Sequence, residues 1–311
     1  MSVPLLSNLG PNIRLAATTL ILSPRMQPSS CGEDYNILML KRHGRARFMP
    51  NAHVFPGGCA ETVDLWSEWA TFFPLSPSHH EHEPFPDFST RMGAIREVYE
   101  EAGIFLANKV REDHDSFLNQ IARPPSQPIL KLDWNDQQNA VIRSHRKVVQ
   151  ADCGLFRSLF AAVELASPSR LRPPLEHLMP WSRWVTPPNE KYRYDTFFYL
   201  IGLKDEHDHA HASHDANEVV EMDWFSPSEA LQAFAQGRIQ LAPPTWYTLQ
   251  DLAKTQSLEK LFDLVHSNNH HADPIIPKTS QTSTGDLLFE LDHHTIKFSS
   301  HGVYSLIETT P

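Results

Sequence analysis

The chain has 311 residues, 41% of them hydrophobic and 21% charged, with a formal net charge of -10. That composition supports a full core, built as one elaborated domain or as two small ones, and excludes a globally disordered chain. The acidic balance offers no basic footprint for general nucleic-acid binding, and it suits a protein that collects divalent cations.

Cys31, Cys59 and Cys153 lack the even count and spacing of a secreted disulfide framework. No apolar run of about 18 residues offers a membrane span. The first residues lack the charged and apolar blocks of a secretion signal, and the final Glu-Thr-Thr-Pro is not a peroxisomal Ser-Lys-Leu address. The expectation is a soluble intracellular protein, cytoplasmic by default, of open oligomeric state.

Residues 15–22 and 35–40 are rich in strand formers and separated by a polar loop with Pro24, Pro28 and Gly32, so they predict neighbouring strands. A third short strand at 53–55 ends at Pro56-Gly57-Gly58. Residues 65–88 hold Trp66, Trp69, Phe72 and Phe73, then a His/Glu/Pro-rich stretch, and predict an insertion of one helical turn and a loop. Ser89 or Thr90 caps a helix that stops at Gly103, a residue suited to the left-handed C′ position. Helical patterns follow at 113–122 and 134–165. Segments 181–186, 196–203 and 219–224 predict strands. Ser226-Pro227 opens a helix through Ala235, with two more at 244–254 and 257–266. The tail after 267 is polar, with strands expected at 287–291 and 302–307. No internal repeat is present. Strands and helices interleave, which predicts an α/β or α+β class with a mixed sheet. The expected division is one domain over 10–266, with the insertion at 65–88, and a partly flexible extension over 267–311.

The informative segment is Arg96-Glu97-Val98-Tyr99-Glu100-Glu101-Ala102-Gly103-Ile104. On a helix, Ala94, Ile95, Val98 and Ala102 share a core arc, while Glu97, Glu100 and Glu101 share another. Glu97 and Glu101 are an i,i+4 pair, Glu97 and Glu100 an i,i+3 pair, so their carboxylates can converge. Most acidic helix faces are simply solvated. This one breaks local rules, because like charges at i,i+4 repel and the helix C-terminus favours cations. A bound divalent cation would turn that penalty into a gain. Carboxylates without Cys or His suit a hard ion, Mg²⁺ or Mn²⁺.

This segment resembles, position for position, the second half of the Nudix box. The first half, a Gly followed six residues later by an acid, is similar to Gly58 and Asp64, with Val54-Phe55-Pro56-Gly57 as lead-in. Asp64 replaces the usual Glu, and residues 65–88 lengthen the spacing to Arg96. Both departures bear on the family's salt bridge between early acid and box arginine, and neither touches the three glutamates. The resemblance implies a Nudix-type α/β/α sandwich with mixed sheet and helical insertions, and a Nudix diphosphatase. It implies Glu97, Glu100 and Glu101 as metal ligands with the Gly58 carbonyl added, and Glu97 or Glu101 as general base. Glu218 and Glu221, on a late strand, are alternative bases or ligands, or else exposed strand carboxylates.

Three stretches resemble the coenzyme A diphosphatase branch of that family: 48–58, 193–198 and 224–231. The branch implies a small-molecule nucleotide substrate, coenzyme A or acyl-coenzyme A, cleaved to 3′,5′-ADP and (acyl)phosphopantetheine. Arg42, Arg45 and Arg47, with Lys41, form a basic cluster that either binds substrate phosphate or decorates an exposed turn around Gly44. Trp181, Trp184 and Tyr194 are candidates for adenine stacking or for the core. The His-rich run 205–215 reads as a mobile loop able to bind Zn or Ni opportunistically, and Cys59 as a packed residue. Other readings stay open: a dinucleoside polyphosphate, NADH, nucleotide sugar or RNA cap as substrate, a non-catalytic binding module of this fold, or an acidic scaffold.

Overall fold

The computed structural model describes residues 7–46, 49–73, 85–110, 128–167, 169–206, 212–213, 219–267, 273–292, 294–299 and 302–308. The chain begins with β1 (Ile13–Pro24), β2 (Tyr35–Arg42), β3 (Ala52–Val54) and β4 (Gly57–Cys59). The short helix α1 (Trp66–Trp69) and the long α2 (Phe88–Ala102) come next. Strands β5 (Asn108–Lys109) and β6 (Ile129–Leu130) lead to α3 (Asp136–Ala151) and α4 (Phe156–Ala166). Strands β7 (Leu171–Arg172), β8 (Met179–Val185), β9 (Arg193–Leu203) and β10 (Val219–Phe225) follow. Helix α5 (Pro227–Ala235), strand β11 (Gln240–Leu241) and helices α6 (Pro243–Leu252) and α7 (Leu258–Ser267) complete the main body.

These elements form a mixed α/β fold. Among the described residues one sheet has the order β11-β3-β2-β1-β9-β6, with β10 paired to β2, β4 to β1 and β8 to β9. β1 lies parallel to β9, from Ile13↔Arg193 to Leu22↔Gly202, and antiparallel to β2 and β4. Alternation along the strands sorts the core into two layers. Ala17, Ile21, Leu38 and Leu40 pack on one face with Ala94, Ile95 and Val98 of α2 and with α3 and α4. Leu20, Leu22, Ile37 and Met39 pack on the other with Ala230 of α5, Leu249 of α6 and Leu261 of α7. Each fully buried Leu, Ile, Val or Met among them contributes about 1.5–3 kcal/mol.

Several boundaries differ from the sequence pattern for visible reasons. The predicted helical run at 134–165 divides, because Asp152 turns its carboxylate onto the Gly154 N–H and starts a 3-10 turn before α4. Helix α2 begins at Phe88 with Asp87 at the N-cap, so Ser89 and Thr90 lie inside its first turn, and no side chain caps it because the Asp87 carboxylate accepts from Arg91 Nε and the Tyr199 hydroxyl. The expected helix at 113–122 lies outside the described residues. Beyond 267 the chain forms a four-stranded antiparallel sheet, β12 (Lys278–Gln281), β13 (Leu287–Glu290), β14 (His294–Phe298) and β15 (Tyr304–Glu308), where the pattern showed two strands. β12 carries no apolar pattern because it is an edge strand of wholly polar sequence, Lys-Thr-Ser-Gln. Ile296 and Tyr304 join the second core layer. Among the described residues no helix is long and apolar enough to cross a membrane.

Candidate active site

The site is built where β4 meets the second half of α2. β4 hydrogen-bonds to β1 with Ala17 opposite Gly58 and Thr18 opposite Gly57. Both glycines are required by close approach. A Cβ on Gly57 would meet the backbone of Ala17 and lie 2.8 Å from Thr18 Cα, and a Cβ on Gly58 would lie 2.5 Å from the Glu97 carboxylate. The Gly57 N–H donates to Glu101 Oε2 at 2.9 Å. The Gly-Gly turn and the glutamates, 39 to 44 positions apart in sequence, are thus in direct contact across the α2–β4 packing.

Arg96 organises this junction and is 2% exposed. All five of its N–H donors are used. Nε and Nη2 engage Asp64, each at 3.1 Å, Nη2 also reaches the Cys59 carbonyl at 2.8 Å, and Nη1 is shared by Glu97 at 2.8 Å and Glu100 at 2.9 Å. The salt bridge between early acid and box arginine therefore forms in spite of the Asp substitution and the long spacing. Gly93 makes room for it, since a Cβ there would lie 3.2 Å from Asp64 Oδ2. Burial pushes the Asp64 carboxyl upward and the Arg96 guanidinium opposes it, while Arg96 is held firmly protonated by the acids around it.

The three glutamates do not close on one point. Glu97 and Glu100 turn to Arg96 and Glu101 to the Gly57 amide. The second oxygens of Glu97 and Glu100 are left over from those bonds. Burial, reinforced by the charge of Glu97 and opposed by Arg96, pushes the Glu100 carboxyl up to about 7. The helix end bearing these acids has no cation of its own, and α3 supplies one. Arg146 donates to the Glu100 carbonyl at 2.9 and 3.0 Å, Gln150 at 2.6 Å, and Gly103 ends the helix at φ 71°. A cation at the C-terminal carbonyls offsets the helix dipole that the glutamates oppose. Sequence pattern gave no hint of this role for Arg146 and Gln150.

The other candidates are distributed by strand alternation. Arg42 pairs with Val219, whose side chain packs in the α2 layer, so Arg42 projects from the face that carries the glutamates. Its buried Nε has no hydrogen-bond partner. Arg45 is exposed in the turn after β2, and Arg47 lies outside the described residues. Lys41 points to the opposite face and pairs with Glu221 at 2.7 Å. Glu221 is therefore not brought to the glutamates of α2. Glu218 lies outside the described residues, as does most of the His-rich run. Trp181 and Trp184 are core residues. Cys59 contributes its carbonyl to Arg96, and burial pushes its thiol up. A cleft of about 360 Å³ lined by Asp87, Thr90, Arg183 and Phe197 opens at the other end of α2, about 15 Å along the axis from Glu97.

Comparison with known proteins places these features in context. The profile of the NUDT19 Nudix domain matches residues 12–85 and 75–252. The chain is 33% identical to acyl-coenzyme A diphosphatase NUDT19 of Gallus gallus, over 76% of this chain and 66% of that protein. It is 30% identical to the Homo sapiens protein of the same name, over 74% of this chain and 63% of that one. The matches thus span just under two thirds of those relatives' length. A crystal structure of a NUDIX hydrolase from Alicyclobacillus acidocaldarius shares the fold, with 21% identity, a TM-score of 0.55, and coverage of 80% of this chain and 95% of that one.

Proposed function

The chain belongs to the NUDT19 Nudix domain family of Nudix hydrolases, and from that premise we propose that it hydrolyses the diphosphate of coenzyme A or acyl-coenzyme A. The products would be 3′,5′-ADP and (acyl)phosphopantetheine. The observation that carries the chemistry is the contact of Glu97 and Glu101 with the Gly57-Gly58 turn around a fully bonded Arg96. The substrate reading rests on the relatives named above.

The donor set fits a hard divalent cation. It is all oxygen, the Glu97 carboxylate sits beside the turn at Gly58, which is kept clear of a side chain, and Glu97 and Glu100 each keep one oxygen outside their bonds to Arg96. Glu97, Glu100, Glu101 and the Gly58 carbonyl would hold it. A bound Mg²⁺ or Mn²⁺ neutralises diphosphate oxygens and acidifies water. Arg96 fixes Glu97 and Glu100 in place and limits their mutual repulsion. Glu97 or Glu101 accepts the proton of the attacking water, a role worth about 10²–10⁴-fold. Arg42, with an unsatisfied buried Nε on the same sheet face, is suited to a substrate phosphate, together with Arg45 and Arg47.

The test is a substrate panel with Mg²⁺ and Mn²⁺, read by mass spectrometry for both products. Coenzyme A should exceed dephospho-coenzyme A in kcat/KM by roughly one to two decades, the worth of one charge-assisted hydrogen bond. Arg42→Ala or Arg45→Ala should shrink that gap. Equal constants for the two substrates would remove the phosphate role of the arginines. Faster turnover of a dinucleotide or nucleotide sugar would replace the coenzyme A assignment.

A further inference from the structure

A second group of potential ligands lies on the far face of the sheet. His53 of β3 and Glu221 of β10 flank Lys41 of β2 on either side, and Asp223 lies two residues further along β10. The neighbours of these residues fix their direction. Leu40, Val54, Met222 and Trp224 pack toward α2, so Lys41, His53, Glu221 and Asp223 project oppositely. One ligand atom from each of His53, Glu221 and Asp223 lies within 4.8 Å of the other two.

The histidine provides an independent indication. Its side chain is 3% exposed, yet among the described residues its ring makes no hydrogen bond. Nδ1 is buried without one, and Nε2 points at Asp223 Oδ2 from 4.0 Å, too far for a hydrogen bond. Buried polar groups are ordinarily satisfied, and Nε2, the nitrogen that faces the carboxylates, has no partner within hydrogen-bonding range among the described residues. Burial holds the ring below its ordinary pKa, so it presents a neutral nitrogen lone pair.

We propose that His53, Glu221 and Asp223 form a binding site for a divalent transition-metal ion of the zinc type, separate from the glutamates of α2. One imidazole and two carboxylates, with a water completing the shell, suit Zn²⁺ better than Mg²⁺, which avoids nitrogen. Zn–N and Zn–O bonds of about 2.1 Å put tetrahedral ligand atoms about 3.4 Å apart. The carboxylates must therefore close in by about 1 Å around a fixed imidazole. They can, because the side chains of Asp223 and Glu221 are 46% and 56% exposed and neither is packed in place. The Lys41 ammonium is the competing cation, and its exposed pair with Glu221 is of the weak kind.

The inference does not depend on the diphosphatase reading, and its test is binding. Co²⁺ and Zn²⁺ are titrated into full-length protein in which His79, His80, His82, His207, His209, His211, His214, His270 and His271 are alanine and Glu100→Gln is present, removing the other histidine clusters and weakening the glutamate site of α2. Binding is read by cobalt ligand-field absorption and by metal content after desalting. One ion per chain is expected, with a histidine ring signal shifted by Co²⁺. The double variant Glu221→Gln, Asp223→Asn should weaken binding more than about tenfold, since even outer partners of a metal ligand are worth roughly 10–100-fold. Lys41→Met should tighten it. These groups are exposed or half-buried, so unfolding is not expected, and His53→Gln is added where circular dichroism confirms the fold. Absence of binding in the parent, or affinity unchanged in the double variant, overturns the site.

Discussion

Gly57 and Gly58 are adjacent, yet their backbones are crowded by different kinds of atom. Gly57 faces the backbone of β1, which cannot move without breaking the sheet, whereas Gly58 faces the end of the flexible Glu97 side chain. Gly57→Ala should therefore cost stability by about 2 kcal/mol or more, as overpacking does. Gly58→Ala should leave thermal unfolding close to wild type while displacing Glu97 and lowering kcat. The two variants are compared by calorimetry and steady-state kinetics, and equal stability losses would contradict the assignment. Asp64 poses a different problem, because it balances a guanidinium that is itself 2% exposed. Asp64→Ala leaves that charge with Glu97 and Glu100 alone, at a cost of about 3 kcal/mol. For a domain of this size that is a fall in Tm of roughly 6–12 °C.

Among the elements, α5 shows how a loop residue secures a helix. Ser226 caps it in a capping box with Glu229, Pro227 occupies the first turn, and Glu33, from the loop between β1 and β2, accepts the Ser228 N–H at 3.0 Å and the Ser226 hydroxyl at 3.1 Å. The Ser29 hydroxyl also donates to it. Burial by itself would raise the Glu33 pKa, and the donors of Ser228 and Ser29 outweigh it, so the value falls below the ordinary 4.5. A lowered carboxylate contributes stability that is complete above the unfolded value and is lost as pH falls through the folded one. Wild type should therefore exceed Glu33→Gln by about 1.5–3 kcal/mol near neutral pH. The difference should shrink as pH falls below 4.5. Urea unfolding of both proteins across that range measures it, and a gap independent of pH would exclude the ionic origin. The cap itself was legible as Ser226-Pro227. Its support by Glu33 was not, because the two are 193 positions apart.

For the whole molecule, the proposed metal binding would be linked to folding. A ligand at 100 times its Kd stabilises the native state by about 2.7 kcal/mol. Mg²⁺ should raise Tm by roughly 5–10 °C in wild type and by much less in Glu100→Gln or Glu101→Gln. Those variants should fold and lose nearly all diphosphatase activity, as should wild type in excess chelator. Full turnover under chelation would sink the metal mechanism. The C-terminal sheet lies away from that site, since Ile296 and Tyr304 pack in the layer on the opposite side from α2.

The sequence by itself determined the features whose partners lie within a few residues. The run from Arg96 to Gly103 prescribes a helix with glutamates on one side and a left-handed stop, because helical spacing is local. Short apolar runs of strand formers prescribe β1, β2 and β9 for the same reason. Tertiary structure decided where separate segments compete for partners. It set Arg96 between Asp64 and the two glutamates, so that Glu97 and Glu100 turn to the guanidinium and do not converge. It also divided the basic cluster, sending Arg42 to the glutamate face and Lys41 with Glu221 to the other, next to His53 and Asp223. Strand register fixes these outcomes, and a shift of one residue would exchange the faces. That register depends on pairing between β2 and β10, strands about 180 residues apart.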